Sequence, residues 1–347
     1  MKINRSPNQR AFAVIIALVA VTVLTLLAGA FAYAMKIETR LAFNTNKDEE
    51  FYWMGRGGVE RACWWLALEG NQPFSSKQQY WAGGPGEGSE TNSALASESL
   101  STFPIGEGNV ALSMVELEGK ININTADSQL LQQVLTAQGA DPNAITVVPD
   151  CILDWIDADD NTRPAGAESE YYLGLTPSYY AKNAPIDNLE ELLLIKGITT
   201  NMYRGTSDQP DAAVPAQELG FGHRPGQEAV YKFALRDVFT PFSLGKINIL
   251  TADDNVLQSL PGMDTAAVQA IETARSSDPP IRNVGQLLAA AGIDPQATAQ
   301  MANYLDIRGS TYEVHVTATI GQLSHEYTAV VVRNGPNVQV FNFYRSN

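Results

Sequence analysis

The chain has 347 residues, long enough for two domains, and its 38 acidic and 23 basic residues give a formal net charge of −15. This negative charge argues against nucleic acid and anionic lipid surfaces as partners held by electrostatic attraction. The two cysteines, Cys63 and Cys151, fit no metal or redox spacing, so they form either one disulfide in an oxidising compartment or two small buried residues.

The first element in the chain is an apolar segment near the amino end. Residues 11–35 contain no charged residue and no proline, and a helix of that length, rising ~1.5 Å per residue, crosses a ~30 Å hydrocarbon core. The basic residues Lys2, Arg5 and Arg10 precede it and favour a cytoplasmic amino end. A secretory signal peptide is excluded because its apolar core has only ~7–15 residues. The sequence therefore predicts a transmembrane helix over residues 12–35.

The helical pattern continues beyond this segment. Apolar residues recur with mostly helical spacing over residues 36–70, and the next proline is Pro73. The sequence thus predicts one helix from about Phe12 to Leu68, half in lipid and half in solvent.

Four later segments alternate apolar and polar residues, as half-buried strands do: 109–118, 311–320, 326–333 and 339–344. None can bury its apolar face alone, so we expect them to form one antiparallel sheet on the amino-terminal helix. Residues 71–118 and 306–347 would build this sheet, with a polar connector at 81–100. The predicted fold class is α+β, a long amino-terminal helix packed on an antiparallel sheet, with a large all-α domain, residues 119–305, inserted between strands.

The inserted segment contains an internal repeat. Residues 119–127 (GKININTAD) and 245–253 (GKINILTAD) differ at one position, and residues 186–198 and 281–293 form a second matching pair. The first copy is the longer one, so it carries an insertion. Thr125 and Thr251 are predicted to cap the helices that follow, with an Asp in each first turn. These caps make the two copies similar helical units.

The repeat unit resembles a helix-hairpin-helix or SAM-like module, as residues 260–275 (LPGMDTAAVQAIETAR) show. In the nucleic-acid-binding versions a Pro-Gly-Ile-Gly turn presents backbone N–H groups to a phosphate. Here Asp264 follows Pro261, Gly262 and Met263 and takes the place of the second glycine. We therefore expect no nucleic acid partner, and membrane-anchored DNA binding is kept as the lesser alternative.

An acidic loop at residues 154–172 (DWIDADDNTRPAGAESEYY) carries six carboxylates, with Arg163 as its one cation. Oxygen ligands at short spacing suit calcium. Counted from Asp157, Asp159 is third, Asn161 fifth and Glu168 twelfth, the spacing of an EF-hand loop, although Thr162 replaces the usual sixth-position glycine. The sequence predicts a structural calcium loop with these ligands, and the alternative is an acidic solvated loop with helix caps.

No catalytic machinery stands out. The histidines His223, His315 and His325 are scattered, and the chain has no glycine-rich phosphate loop, serine elbow or zinc spacing. The sequence predicts that the protein is not an enzyme.

The amino-terminal features together resemble type IV prepilins and type II secretion pseudopilins. Residues 1–11 would be the leader, cut by the prepilin peptidase between Ala11 and Phe12. Most members carry Glu at the fifth mature position, where this chain has Ile16, and its loss is characteristic of the minor pseudopilin K family.

The acidic loop resembles that family as well. The K family has an Asp-x-Asp stretch, then Gly-Ala-Glu-Asp and a Tyr, and binds calcium; here Asp157-Ala158-Asp159 precedes Gly166-Ala167-Glu168-Ser169 and Tyr171-Tyr172. Ser169 stands where the family often has Asp, so the resemblance adds Glu170 to the predicted ligands.

The resemblance implies a function and a location. The protein would sit at the tip of the type II secretion pseudopilus and support its assembly and protein export across the outer membrane. Its partners would be the I- and J-type minor pseudopilins, the major pseudopilin, the prepilin peptidase and the inner membrane, with the carboxyl-terminal part in the periplasm. A minor pilin or tip subunit of a type IV pilus is the alternative in the same class.

Overall fold

A computed structural model describes residues 7–84, 86, 101–205, 230–277 and 281–346. Leader residues 1–6, most of the predicted connector 81–100, and His223 lie outside these ranges. Helix and strand bounds below are those of the described residues.

Helix α1, Pro7–Leu68, is continuous and ends at the residue predicted from the sequence. Its segment Val14–Thr39 is long and apolar enough to cross a membrane, and none of it is buried inside the protein. The hydroxyls of Thr22 and Thr25 donate to carbonyl oxygens four residues earlier, at 2.6 and 2.7 Å. These polar side chains are therefore satisfied within the helix, as a hydrocarbon surrounding requires.

The second half of α1 packs on a five-stranded antiparallel sheet of order β1-β2-β7-β8-β9. Its strands are β1 Thr102–Ile105, β2 Gly108–Glu116, β7 Thr311–Ile320, β8 Leu323–Asn334 and β9 Asn337–Arg345. Strand β7 has the predicted bounds, and β2, β8 and β9 overlap their predictions. Strand β1 was not predicted, because it is four residues long, contains Pro104 and buries only Phe103.

The sheet core is formed by buried side chains of α1, β2, β7 and β8, among them Phe51, Leu66, Val110 and Val314. Alternate residues of β2 are buried, which is the pattern that identified it as a strand. Helix and sheet approach closely at Gly58, where an added Cβ would lie 2.6 Å from Val316 Cγ1. A glycine is needed here because the valine side chain occupies the space of any larger residue.

A helical domain lies between β2 and β7 in the chain and has its own core, the helical core, which includes Leu131, Trp155, Tyr172 and Ile271. Its helices, within the described ranges, are α2 Ser128–Gln138, α3 Pro142–Ile156, α4 Ser169–Leu173, α5 Thr200–Arg204, α6 Leu235–Val238, α7 Asp254–Gln258, α8 Thr265–Arg275, α9 Val284–Ala290 and α10 Pro295–Met301. The α+β arrangement with an inserted helical domain is thus as predicted.

Each copy of the repeat is closed by a short parallel strand pair. Strand β3 (Ile121–Asn122) pairs with β4 (Phe239–Thr240), and β5 (Ile247–Asn248) pairs with β6 (Leu305–Asp306). The side chains of Asn122 and Asn248 accept the backbone N–H two residues later, at 2.8 and 2.9 Å. The repeated asparagine therefore builds the same turn in both copies.

The prediction that Thr125 and Thr251 cap helices is wrong. The tight turn after each asparagine delays the helix start by two residues, so Asp127 and Asp253 occupy the cap positions of α2 and α7. Asp127 accepts the N–H of Leu130 at 2.8 Å. These aspartates were expected within the first helical turn. They lie instead at the N-cap position, immediately before it.

Cys63 lies on α1 and Cys151 on α3, and both are free thiols. Of the two alternatives left open by the sequence, the structure has the one without a disulfide. Burial raises the pKa of Cys63 to about 11 and that of Cys151 to about 12, so both stay protonated at neutral pH.

Candidate metal centre and the junction between the two cores

The acidic loop connects α3 to α4, and its two ends carry the two carboxylates predicted as the strongest ligands. Asp157 is the residue at the end of α3, and its N–H donates to Leu153 O at 3.0 Å. Glu168 is the residue immediately before α4. The loop thus begins and ends on helix termini that are fixed by the helical core.

Glu168 is 3 % exposed, and neither of its carboxylate oxygens has a hydrogen-bond partner among the residues that the structure describes. Burial, with a smaller contribution from the charges of Asp154, Asp157, Asp160 and Asp159, raises its pKa to about 7. Within the described ranges, Asp157 Oδ1 is likewise buried without a partner. Three buried carboxylate oxygens thus have no hydrogen-bond partner within the described residues, and a bound cation would remove that deficit.

Asp154 is fully buried and contacts the one cation of the loop. Its Oδ1 accepts Arg163 Nη1–H at 2.6 Å, and the same Nη1 donates to Asp157 Oδ2 at 2.5 Å. The main-chain N–H of Arg163 also reaches Asp154 Oδ2, at 3.2 Å. Sequence reasoning did not select Asp154 as a site residue, although its i,i+3 spacing to Asp157 on a helix placed both carboxylates on one face.

The rest of the loop is held from several sides. Asp150 accepts the N–H of Ala165 at 3.1 Å, and Lys196 Nζ donates to Gly166 O at 3.2 Å. Lys196 Nζ also lies 4.7 Å from the ring centroid of Tyr171, within cation–π range. The loop is therefore tied to α3, to α4 and to the segment around Lys196.

The remaining predicted ligands lie further out. Asp159 Oδ1 accepts the N–H of Asn161 at 2.9 Å, and Asp160 Oδ1 accepts Asn183 Nδ2–H at 3.0 Å. Asn161 and Glu170 are exposed. In the described part of the chain, no three His, Cys, Asp or Glu side chains converge with the geometry of a metal site. Asp154 and Asp157 thus share Arg163, Glu168 is buried at the other end of the loop, and Asn161 and Glu170 lie at its surface.

The oxygen donors fit calcium in kind. Calcium binds carboxylate oxygens in a flexible shell, and the unpaired oxygens of Asp157 and Glu168 are of this type. Burial is the main cause of the raised pKa of Glu168 and the nearby aspartates add to it, so a cation bound there would lower that pKa.

A second buried carboxylate lies where the sheet meets the helical domain. Glu116, the last residue of β2, is 3 % exposed and accepts hydrogen bonds from the Ser75 hydroxyl, from Asn248 Nδ2 at 2.7 Å and from Thr251 Oγ1 at 3.2 Å. Burial raises its pKa to about 7, and the charge of Glu118 adds to that shift. Sequence reasoning did not single out this residue, because three of its partners are far away in the chain.

Glu118 continues the same junction. Its carboxylate accepts the main-chain N–H groups of Ser310 and Thr311, at 3.1 and 2.9 Å. It is buried beside the start of β7. The two glutamates thus fix the point at which the chain leaves the sheet and the point at which it returns.

The helix-hairpin-helix turn carries a carboxylate at the start of its second helix. Gly262 has a positive φ of 77°, as a tight turn requires. The carboxylate of Asp264 accepts the N–H of Ala267 at 2.7 Å and caps α8. A negative side chain of the protein therefore occupies the helix end that would meet a phosphate in a nucleic-acid-binding version.

Comparisons with known proteins agree with this architecture. The model of the family described as "Type II secretion system (T2SS), protein K" matches residues 110–207, and a helix-hairpin-helix motif matches residues 243–306. A type II secretion system protein K from Klebsiella pneumoniae is 23 % identical over 115 residues, 29 % of this chain and 35 % of that protein. A putative type II secretion system protein K from Escherichia coli K12 is 35 % identical over 77 residues, 22 % of this chain and 24 % of that protein.

The chain thus spans about a third of the length of the Klebsiella pneumoniae relative and about a quarter of that of the Escherichia coli K12 relative. The crystal structure of a GspK-GspI-GspJ complex from the type II secretion system of enterotoxigenic Escherichia coli contains a chain of the same fold, with a TM-score of 0.67 and 17 % identity over 88 % of this chain and 98 % of that one. The type II secretion protein K family model thus matches β2 and the first repeat copy, the curated relatives are similar to parts of the chain, and the solved structure shares its fold.

Proposed function

We propose that the protein is a minor pseudopilin at the tip of the type II secretion pseudopilus, where it supports pseudopilus assembly and protein export across the outer membrane. The observation that carries this proposal is the helical domain inserted between β2 and β7. A domain of this bulk, set on one apolar helix and its sheet, is too wide for the shaft of a helical fibre. It suits a position with no subunit above it.

The proposed partners follow from the same architecture. The solved structure of similar fold is a complex with two further proteins, named GspI and GspJ, so minor pseudopilins of the I and J types are the first proposed partners. The exposed apolar segment Val14–Thr39 would lie in the inner membrane before assembly and contact the major pseudopilin afterwards. Cleavage between Ala11 and Phe12 by the prepilin peptidase would precede assembly, and the part after α1's apolar segment would be periplasmic.

The test uses a bacterium that has both a type II secretion system and type IV pili and lacks its own protein K. We expect the full chain to restore release of secreted enzymes into the medium and to co-purify with the I- and J-type pseudopilins. Restored pilus extension without restored secretion would instead support the tip subunit of a type IV pilus. Salt-sensitive DNA binding by the purified chain would support the DNA-binding alternative.

We also propose that the acidic loop at residues 154–172 binds calcium in a structural role, and that the protein is not an enzyme. Asp157 and Glu168 would supply the buried oxygens, and Asp159, Asn161 and Glu170 would complete the shell from the exposed side. The support for this proposal is the unpaired, buried state of Glu168. Calcium would neutralise carboxylates that otherwise repel one another, and so link loop closure to the stability of the helical domain.

Calcium is expected to raise the thermal unfolding midpoint of the full chain in detergent, relative to a chelator. Binding to the folded state alone adds about 2.7 kcal/mol to the free energy of unfolding at a calcium concentration 100 times the Kd. Glu168→Gln should abolish most of the rise, whereas the matched control Glu190→Gln, which removes an exposed carboxylate of the same domain, should keep it. Equal midpoints with calcium and chelator in the parent protein would show an acidic solvated loop instead.

A further inference from the structure

We propose that Arg163 is a positioning residue of the calcium loop: anchored on the buried Asp154, it holds one oxygen of Asp157 and leaves the other oxygen to the cation. The inference rests on the proposed calcium site and assigns a role to two residues outside the predicted ligand set. It makes Asp154 the anchor of the arginine and not a calcium ligand.

The anchor is rigid. Asp154 is fully buried in α3, and its two carboxylate oxygens accept both the guanidinium of Arg163, at 2.6 Å, and its main-chain N–H, at 3.2–3.3 Å. The main-chain contact holds the backbone of Arg163 beside Asp154, and departure of the guanidinium would remove the side-chain contact from this buried carboxylate. A buried carboxylate deprived of these donors would be strongly destabilised.

The arginine divides the two oxygens of Asp157 between two roles. Its Nη1 donates to Oδ2 at 2.5 Å, while Oδ1 is buried and finds no partner in the described residues. Both carboxylate oxygens of Glu168 are also buried and have no hydrogen-bond partner among the described residues. The guanidinium therefore holds Asp157 by Oδ2 and leaves its Oδ1 for a cation.

The arginine also supplies the positive charge beside two carboxylates of the loop. Its Nη1 lies 2.6 Å from Asp154 Oδ1 and 2.5 Å from Asp157 Oδ2. If the arginine had to leave when calcium bound, the buried Asp154 would lose its only salt bridge among the described residues.

The experiment measures the calcium affinity of the full chain in detergent by isothermal titration, for the parent and for Arg163→Met, Arg163→Lys and Asp154→Asn. We expect Arg163→Met and Asp154→Asn to weaken calcium binding about 10–100-fold, as outer-shell substitutions at metal sites do. Arg163→Lys keeps a cation and should recover part of the affinity. Arg308→Met, which removes an exposed arginine paired with Asp306, is the control and should bind like the parent.

Unchanged or tighter calcium binding by Arg163→Met would mean that Arg163 blocks the site. If Arg163 blocks the site and must be displaced, Arg163→Met will bind calcium as tightly as the parent or more tightly, and the inference is overturned. A parent protein that binds no calcium would overturn the calcium loop itself, so the two failures are distinguishable. Should Arg163→Met fail to unfold cooperatively, the comparison of Arg163→Lys with Asp154→Asn decides the question: both must bind more weakly than Arg308→Met.

Discussion

Replacing Gly166 with alanine is expected to lower the free energy of unfolding by about 2–4 kcal/mol, because the added methyl group meets a buried carboxylate. A Cβ built on Gly166 lies 1.9 Å from Asp154 Oδ2 and 2.7 Å from its Cγ. Asp154 cannot turn aside cheaply, since it is fully buried and both its oxygens bind Arg163. The residue is therefore a glycine for reasons of space, and its substitution should disturb the whole carboxylate group.

The control for this substitution is Gly174→Ala. Gly174 ends α4 with a φ of −75°, and a Cβ there would meet no atom closer than Tyr171 O at 3.3 Å. We expect this variant to stay within about 0.5 kcal/mol of the parent, as surface substitutions usually do. The measurement is urea unfolding of the full chain in detergent, followed by tryptophan fluorescence. Equal losses in the two variants would contradict the steric explanation.

The stability of the protein is expected to fall as the pH rises from about 4.5 to about 7, because of Glu116. Burial raises the pKa of this carboxyl to about 7, so the folded protein holds a proton that the unfolded chain releases near its ordinary value of about 4.3. A raised pKa contributes stability that is complete below the unfolded value and is lost as the pH passes the folded one. Each pKa unit corresponds to 1.36 kcal/mol, so the loss is on the order of 3 kcal/mol.

The variant Glu116→Gln tests this assignment, because it is uncharged at every pH and keeps an oxygen for Asn248 and Thr251. Its unfolding free energy should change less between pH 5 and pH 8 than that of the parent. The comparison is best made in a Glu168→Gln background with chelator, because the pKa of Glu168 is raised to about 7 as well and acts with the same sign. His325, whose pKa burial lowers, contributes equally to both proteins. Parallel pH profiles would rule out Glu116 as the source.

The junction explains why the charge of one glutamate matters to both cores. Glu116 joins the end of β2 to Ser75 and to two residues of the second repeat copy, Asn248 and Thr251. Gly309, just before β7, approaches so closely that a Cβ there would lie 2.2 Å from the Glu116 carboxylate carbon. A negative charge on Glu116 therefore weakens the contact that fixes the helical domain to the sheet.

The elements with a strong period were predictable from the sequence. Helix α1 ends at Leu68 and β7 covers Thr311–Ile320, both as predicted, because an apolar period of 3.6 or 2 is a local property of the chain. The repeated GKIN segments were also visible, since equal sequences build equal turns. The error at Thr125 and Thr251 arose because the prediction considered only these residues and their immediate neighbours. Their side chains suit a cap, but the turn that precedes each helix shows that the helix has not yet begun.

The candidate metal centre was predictable in part. The spacing of Asp157, Asp159 and Glu168 indicated an oxygen-rich loop, because carboxylates at these intervals repeat the pattern of known calcium loops. The sequence did not show that Asp154 would be buried or that Arg163 would bind it. That depends on how deeply α3 enters the helical core, which no short pattern records.

By itself, the sequence determined the long apolar helix, the alternating strands, the repeat and the acidic loop, because each follows from residues close together in the chain. Tertiary structure alone decided which carboxylates lose water. Glu168 is buried with no partner in the described residues, and Glu116 is buried among partners from Ser75 to Thr251. Burial of a charge depends on what distant segments place around it, and this sets the raised pKa values of both carboxylates.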